Sequence, residues 1–154
     1  TYLLESLSGL KNIELVIVGR GIFDMKLLDK YKLDIEIHKD VSFEKLLDLL
    51  HSSQCFVLPS LIEGFGQVIL EAMSSGIPVI ASENTIAQDI ITHKENGFIV
   101  PIRNSVAISN IILELQNDNS LINTIGLKGH KLAKKYTWEL FREKISNHIN
   151  IKVK

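Results

Sequence analysis

Two glutamates at the start of one helical run carry the most chemistry in this sequence. Glu71 lies in Gln67-Val68-Ile69-Leu70-Glu71-Ala72-Met73, a run whose helical projection is apolar on almost every side. A carboxylate buried there is costly unless it is paired. A lysine or backbone amides would make it a structural core residue, whereas ligand hydroxyls would make it a binding residue. Glu63 precedes it by eight residues, in Glu63-Gly64-Phe65-Gly66. Gly64 and Gly66 let the backbone come close to a bound molecule, and the helix start offers free N–H groups. Two acceptor oxygens on one carboxylate suit the two O–H donors of a diol. A sugar and a ribose joined by a pyrophosphate present such diols at both ends.

The elements that must position these residues alternate along the chain. Short β-rich runs cover 14–18, 34–38, 55–58, 78–81 and 98–100. Their near-continuous apolar character predicts parallel strands buried on both faces. Helical patterns cover 2–10, 23–31, 66–75, 105–117, 120–135 and 137–148, with a further helix opened by Ser42 as N-cap and faced by Leu46, Leu47, Leu49 and Leu50. Gly76 takes the position just past the end of the 66–75 helix. Repeated strand–helix units predict an α/β, Rossmann-like parallel sheet with flanking helices, in one domain over 1–154 that includes C-terminal helices at about 104–150. The loop from Pro59-Ser60 to Gly66 then leaves the carboxyl end of a strand, where open α/β sheets bind ligands. The chain opens on a helix, although a strand is the natural first element of this pattern.

Composition narrows the class. The chain has 154 residues, 45% of them apolar and 23% charged, as in an ordinary globular domain. A formal net charge of −1 gives no electrostatic reason to expect nucleic acid as a partner. The lysines between Lys128 and Lys135 read as one solvated helix face. The single cysteine, Cys55, excludes an intramolecular disulfide and fits a reducing, cytoplasmic setting; it reads as a strand residue and not as a nucleophile. No apolar stretch approaches the span of a bilayer. His38, His51, His93, His130 and His148 show no metal-ligand spacing and read as surface or loop residues. Trp138 reads as a packing anchor. Thr1 in place of an initiator Met fits a fragment, a processed chain or a chain whose start lies elsewhere.

Pro59-Ser60-x-x-Glu63-Gly64-Phe65-Gly66-x-x-x-x-Glu71-Ala72-Met73-x-x-Gly76-x-Pro78-Val79-Ile80-Ala81 strongly resembles retaining glycosyltransferase family 4, also called glycosyl transferases group 1. The resemblance continues through Val16-Ile17-Val18-Gly19-Arg20-Gly21, Asn96-Gly97-Phe98-Ile99-Val100 and Tyr136-Thr137-Trp138, and so covers nearly the whole chain. It implies the GT-B architecture, two Rossmann-like domains with the active site between them, of which this chain would be the C-terminal, donor-binding one. The implied donor is a UDP-, GDP- or ADP-sugar, and the reaction is hexosyl transfer with retention of anomeric configuration. Glu71 would bind the ribose hydroxyls. Glu63, the catalytic candidate, would contact the donor sugar or its phosphates together with the backbone of Gly64, Phe65 and Gly66. Ile37 and His38 would border the base, and Gly19 would edge the same cleft. Retention is attributed in this family to same-face attack assisted by the leaving phosphate, so Glu63 is not read as a nucleophile. No cofactor and no metal are implied, because helix N-termini and basic residues neutralise the leaving diphosphate.

The departures from the family pattern matter too. Lys39 stands where the family commonly has Gly, and Thr85-Ile86-Ala87-Gln88-Asp89-Ile90 keeps an acid at Asp89 but lacks the usual Gly pair. The family's first strand, with the Arg and Lys that grip the pyrophosphate, would lie before Thr1. So would the N-terminal domain that takes a sugar or lipid-linked sugar acceptor, together with its catalytic His or Asp. The chain is therefore expected to be inactive alone, and the full-length enzyme to associate peripherally with membranes. Its Ile-, Lys- and Asn-rich composition suits an AT-rich bacterial genome and a role in polysaccharide biosynthesis. The alternative is a non-catalytic nucleotide-sugar-binding or protein-interaction module derived from such an enzyme. A dehydrogenase is disfavoured because Asp24 occupies the third glycine position of G-x-G-x-x-G.

Overall fold

In the computed structural model, which describes residues 1–152 but not the side chains of Trp138 and 148–152, strands and helices alternate through β5 and three helices follow. The order is α1 (Tyr2–Leu7), β1 (Glu14–Gly19), α2 (Met25–Lys30), β2 (Asp34–Lys39), α3 (Phe43–Ser52), β3 (Phe56–Leu58) and α4 (Val68–Ser74), then β4 (Val79–Ser82), α5 (Ala87–Ile90), β5 (Phe98–Val100), α6 (Ser105–Asn117), α7 (Asn119–Ala133) and α8 (Trp138–Lys152). All strand pairs are parallel, as expected from their apolar runs. The one-turn helix α5 lies in a stretch that carries no readable helical period. The packing role expected of the Trp138 side chain lies outside the described residues.

The α/β architecture with parallel strands and flanking helices is the expected one. The strands form a pair, β1–β2, and a separate triple in the order β3–β4–β5. β1 and β3 make no ladder with each other. In the pair, Val16 lies opposite Glu36 and Gly19 opposite Lys39. In the triple, Val57 lies opposite Ile80, which in turn lies opposite Phe98.

Packing explains which elements are fixed most firmly. β4, flanked by strands on both sides and helices on both faces, is buried at every residue. On one face Ile69, Ala72 and Met73 of α4 pack with Val79 and Ala81, against Leu46, Leu47 and Leu50 of α3. On the other, Ile80, Phe98 and Val100 pack with Ile108, Ile111, Ile112 and Leu115 of α6, Ile125 of α7 and Leu7 of α1. Local chemistry sets the helix ends. Ser42 Oγ accepts from Lys45 N, and Asn104 Oδ1 accepts from Ala107 N. Asp118 closes α6 and opens α7, accepting from Ser120 N at 2.9 Å and Leu121 N at 3.0 Å, which holds its carboxyl below the ordinary range.

Helix α7 meets α4 at a contact that the sequence reading did not anticipate. A Cβ on Gly126 would run into the carbonyl oxygen of Gly76, and one on Gly129 would come within 3.1 Å of Asn96 O. Gly76 holds φ +79°, the left-handed conformation expected of a residue just past a helix end. His130, read as a surface or loop residue, lies instead on α7 and is half-buried, its Nδ1 2.7 Å from Ser74 O at the end of α4. These contacts hold the far end of α4 and so fix the direction in which its first turn points.

Candidate functional site

The loop from β3 to α4 is built by three devices. Its start is tied to the end of β4: Ser82 Oγ donates to Ser60 O, and Asn84 Nδ2 donates to Leu61 O at 2.9 Å. Ser82 is itself buried, and Thr85 Oγ1 closes the next turn by donating to Ser82 O at 2.8 Å. The end of the loop turns on Gly66, whose φ of +68° favours glycine and whose added Cβ would lie 3.1 Å from Glu63 Cγ. Between these anchors Ser60 Oγ donates to Glu63 Oε2 at 3.4 Å. Glu63, Gly64 and Phe65 are exposed, and nothing lies within 4 Å of a Cβ built on Gly64. The loop thus presents its backbone to solvent at the carboxyl end of a parallel sheet, where open α/β folds receive ligands.

Glu71 differs from the expectation of full burial. Helix α4 is only seven residues long, so Glu71 falls in its first turn. Ile69, Ala72 and Met73 form the buried face, and Glu71 lies beside it, half-buried. Among the described residues no hydrogen bond or ion pair satisfies its carboxylate; burial alone acts, and it pushes the pKa above the ordinary glutamate value. The lysine or amide partner that a structural role requires is therefore absent from the described residues. No side chain caps α4 either: Gln67 occupies the cap position without a side-chain bond. A half-desolvated acceptor beside an uncapped helix start and a glycine turn can take hydroxyl donors on the carboxylate and an anionic group at the loop.

The remaining candidates form a second group, at the carboxyl ends of β1 and β2. Gly19 ends β1 opposite Lys39, and a Cβ there would lie 3.2 Å from the Phe23 ring. Lys39 places Nζ 5.4 Å from the centre of that same ring. His38 lies opposite Val18, and its Nε2 is 2.8 Å from Glu36 Oε1. Ile37 lies opposite Ile17 and is half-buried. Arg20 and Asp40 form an exposed pair at 3.7 Å above the strand ends. The structure thus brings Glu63 and Gly66 together, and Gly19, Ile37 and His38 together. Among the described residues no hydrogen bond or ion pair joins the two groups.

Other residues have local roles. Cys55 precedes β3, and burial pushes its thiol up to about 11, so little thiolate exists near neutral pH. His93 Nδ1 accepts from Ile99 N at 3.0 Å, a structural bond. Among the described residues no three His, Cys, Asp or Glu side chains gather as a metal site would require. No helix among them is long and apolar enough to cross a membrane. Sequence reasoning missed Ser82 and Asn84, which hold the loop from a different strand. Their only trace is the change from apolar to small polar residues at the end of β4.

Comparison with known proteins gives a consistent family. Residues 1–132 match the model of the family described as glycosyl transferases group 1. An uncharacterized glycosyltransferase of Methanocaldococcus jannaschii is 30% identical over 129 residues, covering 84% of this chain and 34% of that protein. Among solved structures, Anabaena HepE in complex with UDP-glucose superposes with a TM-score of 0.85 at 22% identity, covering 97% of this chain and 44% of that one. The C-terminal domain of a group 1 glycosyl transferase family protein (LpcC) of Francisella tularensis gives a TM-score of 0.76 at 24% identity, covering 87% of this chain and 74% of that domain. The chain therefore spans about a third of the archaeal relative, and its fold is that of a GT-B C-terminal domain.

Proposed function

The chain belongs to the glycosyl transferases group 1 family, and from that premise we propose that it is the donor-binding domain of a retaining, family 4 enzyme that transfers a hexosyl group from a nucleotide-sugar. The observation that carries this reading is the half-buried Glu71, without a partner for its carboxylate among the described residues, in the helix that follows the glycine-turned loop of Glu63. In this role Glu71 accepts hydrogen bonds from the two ribose hydroxyls, which favour its ionised form and offset the desolvation that raises its pKa. Glu63 and the backbone of Gly64, Phe65 and Gly66 meet the donor sugar or its phosphates. Gly19, Ile37 and His38 border the base. Attack occurs on the same face as departure, assisted by the leaving diphosphate, and needs no metal held by this chain. The UDP-glucose bound to HepE supports the donor class. Transfer itself needs an N-terminal domain to present a sugar or lipid-linked acceptor. We place the enzyme in the bacterial cytoplasm, peripherally associated with the membrane, in polysaccharide biosynthesis.

Titration calorimetry of the chain with UDP-, GDP- and ADP-sugars tests the reading. One of the three is expected to bind, and Glu71→Ala to weaken it about tenfold or more. Unchanged affinity in Glu71→Ala would remove the ribose role.

A further inference from the structure

The ends of β1 and β2 and the turn into α2 form a shelf on which one cation keeps its donors unused. The two strands are parallel, so their last residues, Gly19 and Lys39, stand side by side at the carboxyl ends. The chain leaves Gly19 through Gly21, whose φ of +91° favours glycine, and brings Phe23 back onto the strand end. A Cβ on Gly19 would lie 3.2 Å from Phe23 Cζ, so that ring takes the room the missing side chain leaves. Lys39 Nζ lies 5.4 Å from the centre of the same ring, close enough for the π face to attract its charge. Lys39 is exposed, and among the described residues its ammonium makes no hydrogen bond or ion pair. The acids on this strand and on the turn of Phe23 are engaged elsewhere. Asp40 faces Arg20 at 3.7 Å, Glu36 Oε1 lies 2.8 Å from His38 Nε2, and Asp24 Oδ1 accepts from Leu27 N at 3.2 Å.

An ammonium has three N–H donors and no acceptor. A ring face attracts the charge but does not satisfy those donors as an oxygen does. We propose that Lys39 is a specificity residue for the base of the donor: held over Phe23, it donates to a ring carbonyl, O4 of uracil or O6 of guanine, and discriminates against adenine. This rests on the nucleotide-sugar reading, in which Gly19, Ile37 and His38 border the base. Ile37 and His38 lead directly into Lys39 at the end of β2, so its side chain leaves the strand beside the wall they form. A carbonyl oxygen accepts from the ammonium, whereas the amino group of adenine sets donor against donor. The other cationic or ionisable groups here are less free to read the base. His38 Nε2 is buried beside Glu36, and Arg20 is turned to Asp40. A phosphate role suits Lys39 less well, because the diphosphate is assigned to the loop of Glu63 and Gly66. Among the described residues no hydrogen bond or ion pair joins that loop to this shelf.

Titration of the 154-residue chain with UDP, GDP and ADP tests this on the parent, Lys39→Met and Lys39→Arg. In the parent the tighter of UDP and GDP is expected to bind about tenfold more strongly than ADP, as one well-placed base contact provides. Lys39→Met keeps an apolar stem over the ring and loses the donors. It should abolish the preference by weakening UDP or GDP while leaving ADP unchanged. Lys39→Arg retains a charged donor head and should keep most of the preference. An equal loss for all three nucleotides in Lys39→Met would mark a phosphate contact and overturn the proposal. So would a preference that Lys39→Met leaves intact, or a parent that binds ADP as tightly as the others. Those outcomes leave the donor reading standing, whereas a parent that binds none of the three overturns that reading and this proposal with it. Lys39 is exposed, so the thermal midpoints of the three chains should agree. Should Lys39→Met unfold, the NMR signals of the Lys39 ε-methylene in the parent decide instead. A shift on saturation with UDP or GDP but not ADP supports the contact; equal shifts, or none, overturn it.

Discussion

The strand pair β1–β2 and the triple β3–β4–β5 are built from similar residues and end in very different environments. Val16-Ile17-Val18 of β1 and Val79-Ile80-Ala81 of β4 are equally apolar, yet β4 is buried throughout while Val18 stays 38% exposed. The difference lies in the neighbours. β4 has a strand on each side and helices on each face, whereas β1 has one strand and a helix on one face. Hydrophobicity describes what a strand offers, and burial depends on what the fold brings to it.

Five substitutions test this contrast. The largest effect is expected in the triple: Ile80→Ala removes a fully buried side chain and should cost about 2–5 kcal/mol, against about 0.5 kcal/mol for Val18→Ala. Chemical denaturation of both variants measures the ratio, and equal losses would show that the two sheets are packed alike. Next comes Gly126→Ala, where a Cβ meets the carbonyl of Gly76; a loss of about 1–3 kcal/mol is expected, visible as a lowered thermal midpoint. Gly66→Ala should cost about 1–2 kcal/mol for its left-handed backbone and push Glu63 aside, so donor affinity should fall more than the midpoint does.

The smallest effect belongs to Glu71→Gln and is seen in pH dependence. Burial raises the carboxyl pKa in the folded chain above its unfolded value, so the folded state holds the proton more tightly. The stability this contributes is fully present below about pH 4.3 and is lost as pH rises through the folded-state value. Thermal midpoints should therefore show Glu71→Gln gaining on the parent chain between acid and neutral pH in the absence of ligand. A constant difference across that range would mean that Glu71 is satisfied. With donor bound, the parent chain should recover the lost ground.

Much of this was legible in the residues. Val79 to Ala81 reads as a strand from its apolar run, Ser42 as a cap from its place before a leucine-faced helix, and Gly76 as a helix stop because its left-handed conformation favours glycine. The short helix α5 was not legible, since four residues carry no helical period. Neither was the contact of Gly126 with Gly76, because a glycine inside a helix gives no sign of which backbone approaches it. Glu71 was legible as an acid among apolar residues, but its half-burial follows from the brevity of α4.

The alternation of strands and helices, the family pattern around Glu63 and Glu71, and the glycines that let the loop turn follow from the residues alone, because these depend on local backbone preference and side-chain type. Long-range packing alone sets the division of the strands into two sheets, the hold of Ser82 and Asn84 on the Glu63 loop from the end of β4 and the turn after it, and the lack of a partner for the Glu71 carboxylate among the described residues. Each of those depends on which distant segments meet, and ladders, cross-strand hydrogen bonds and desolvation exist only once they do.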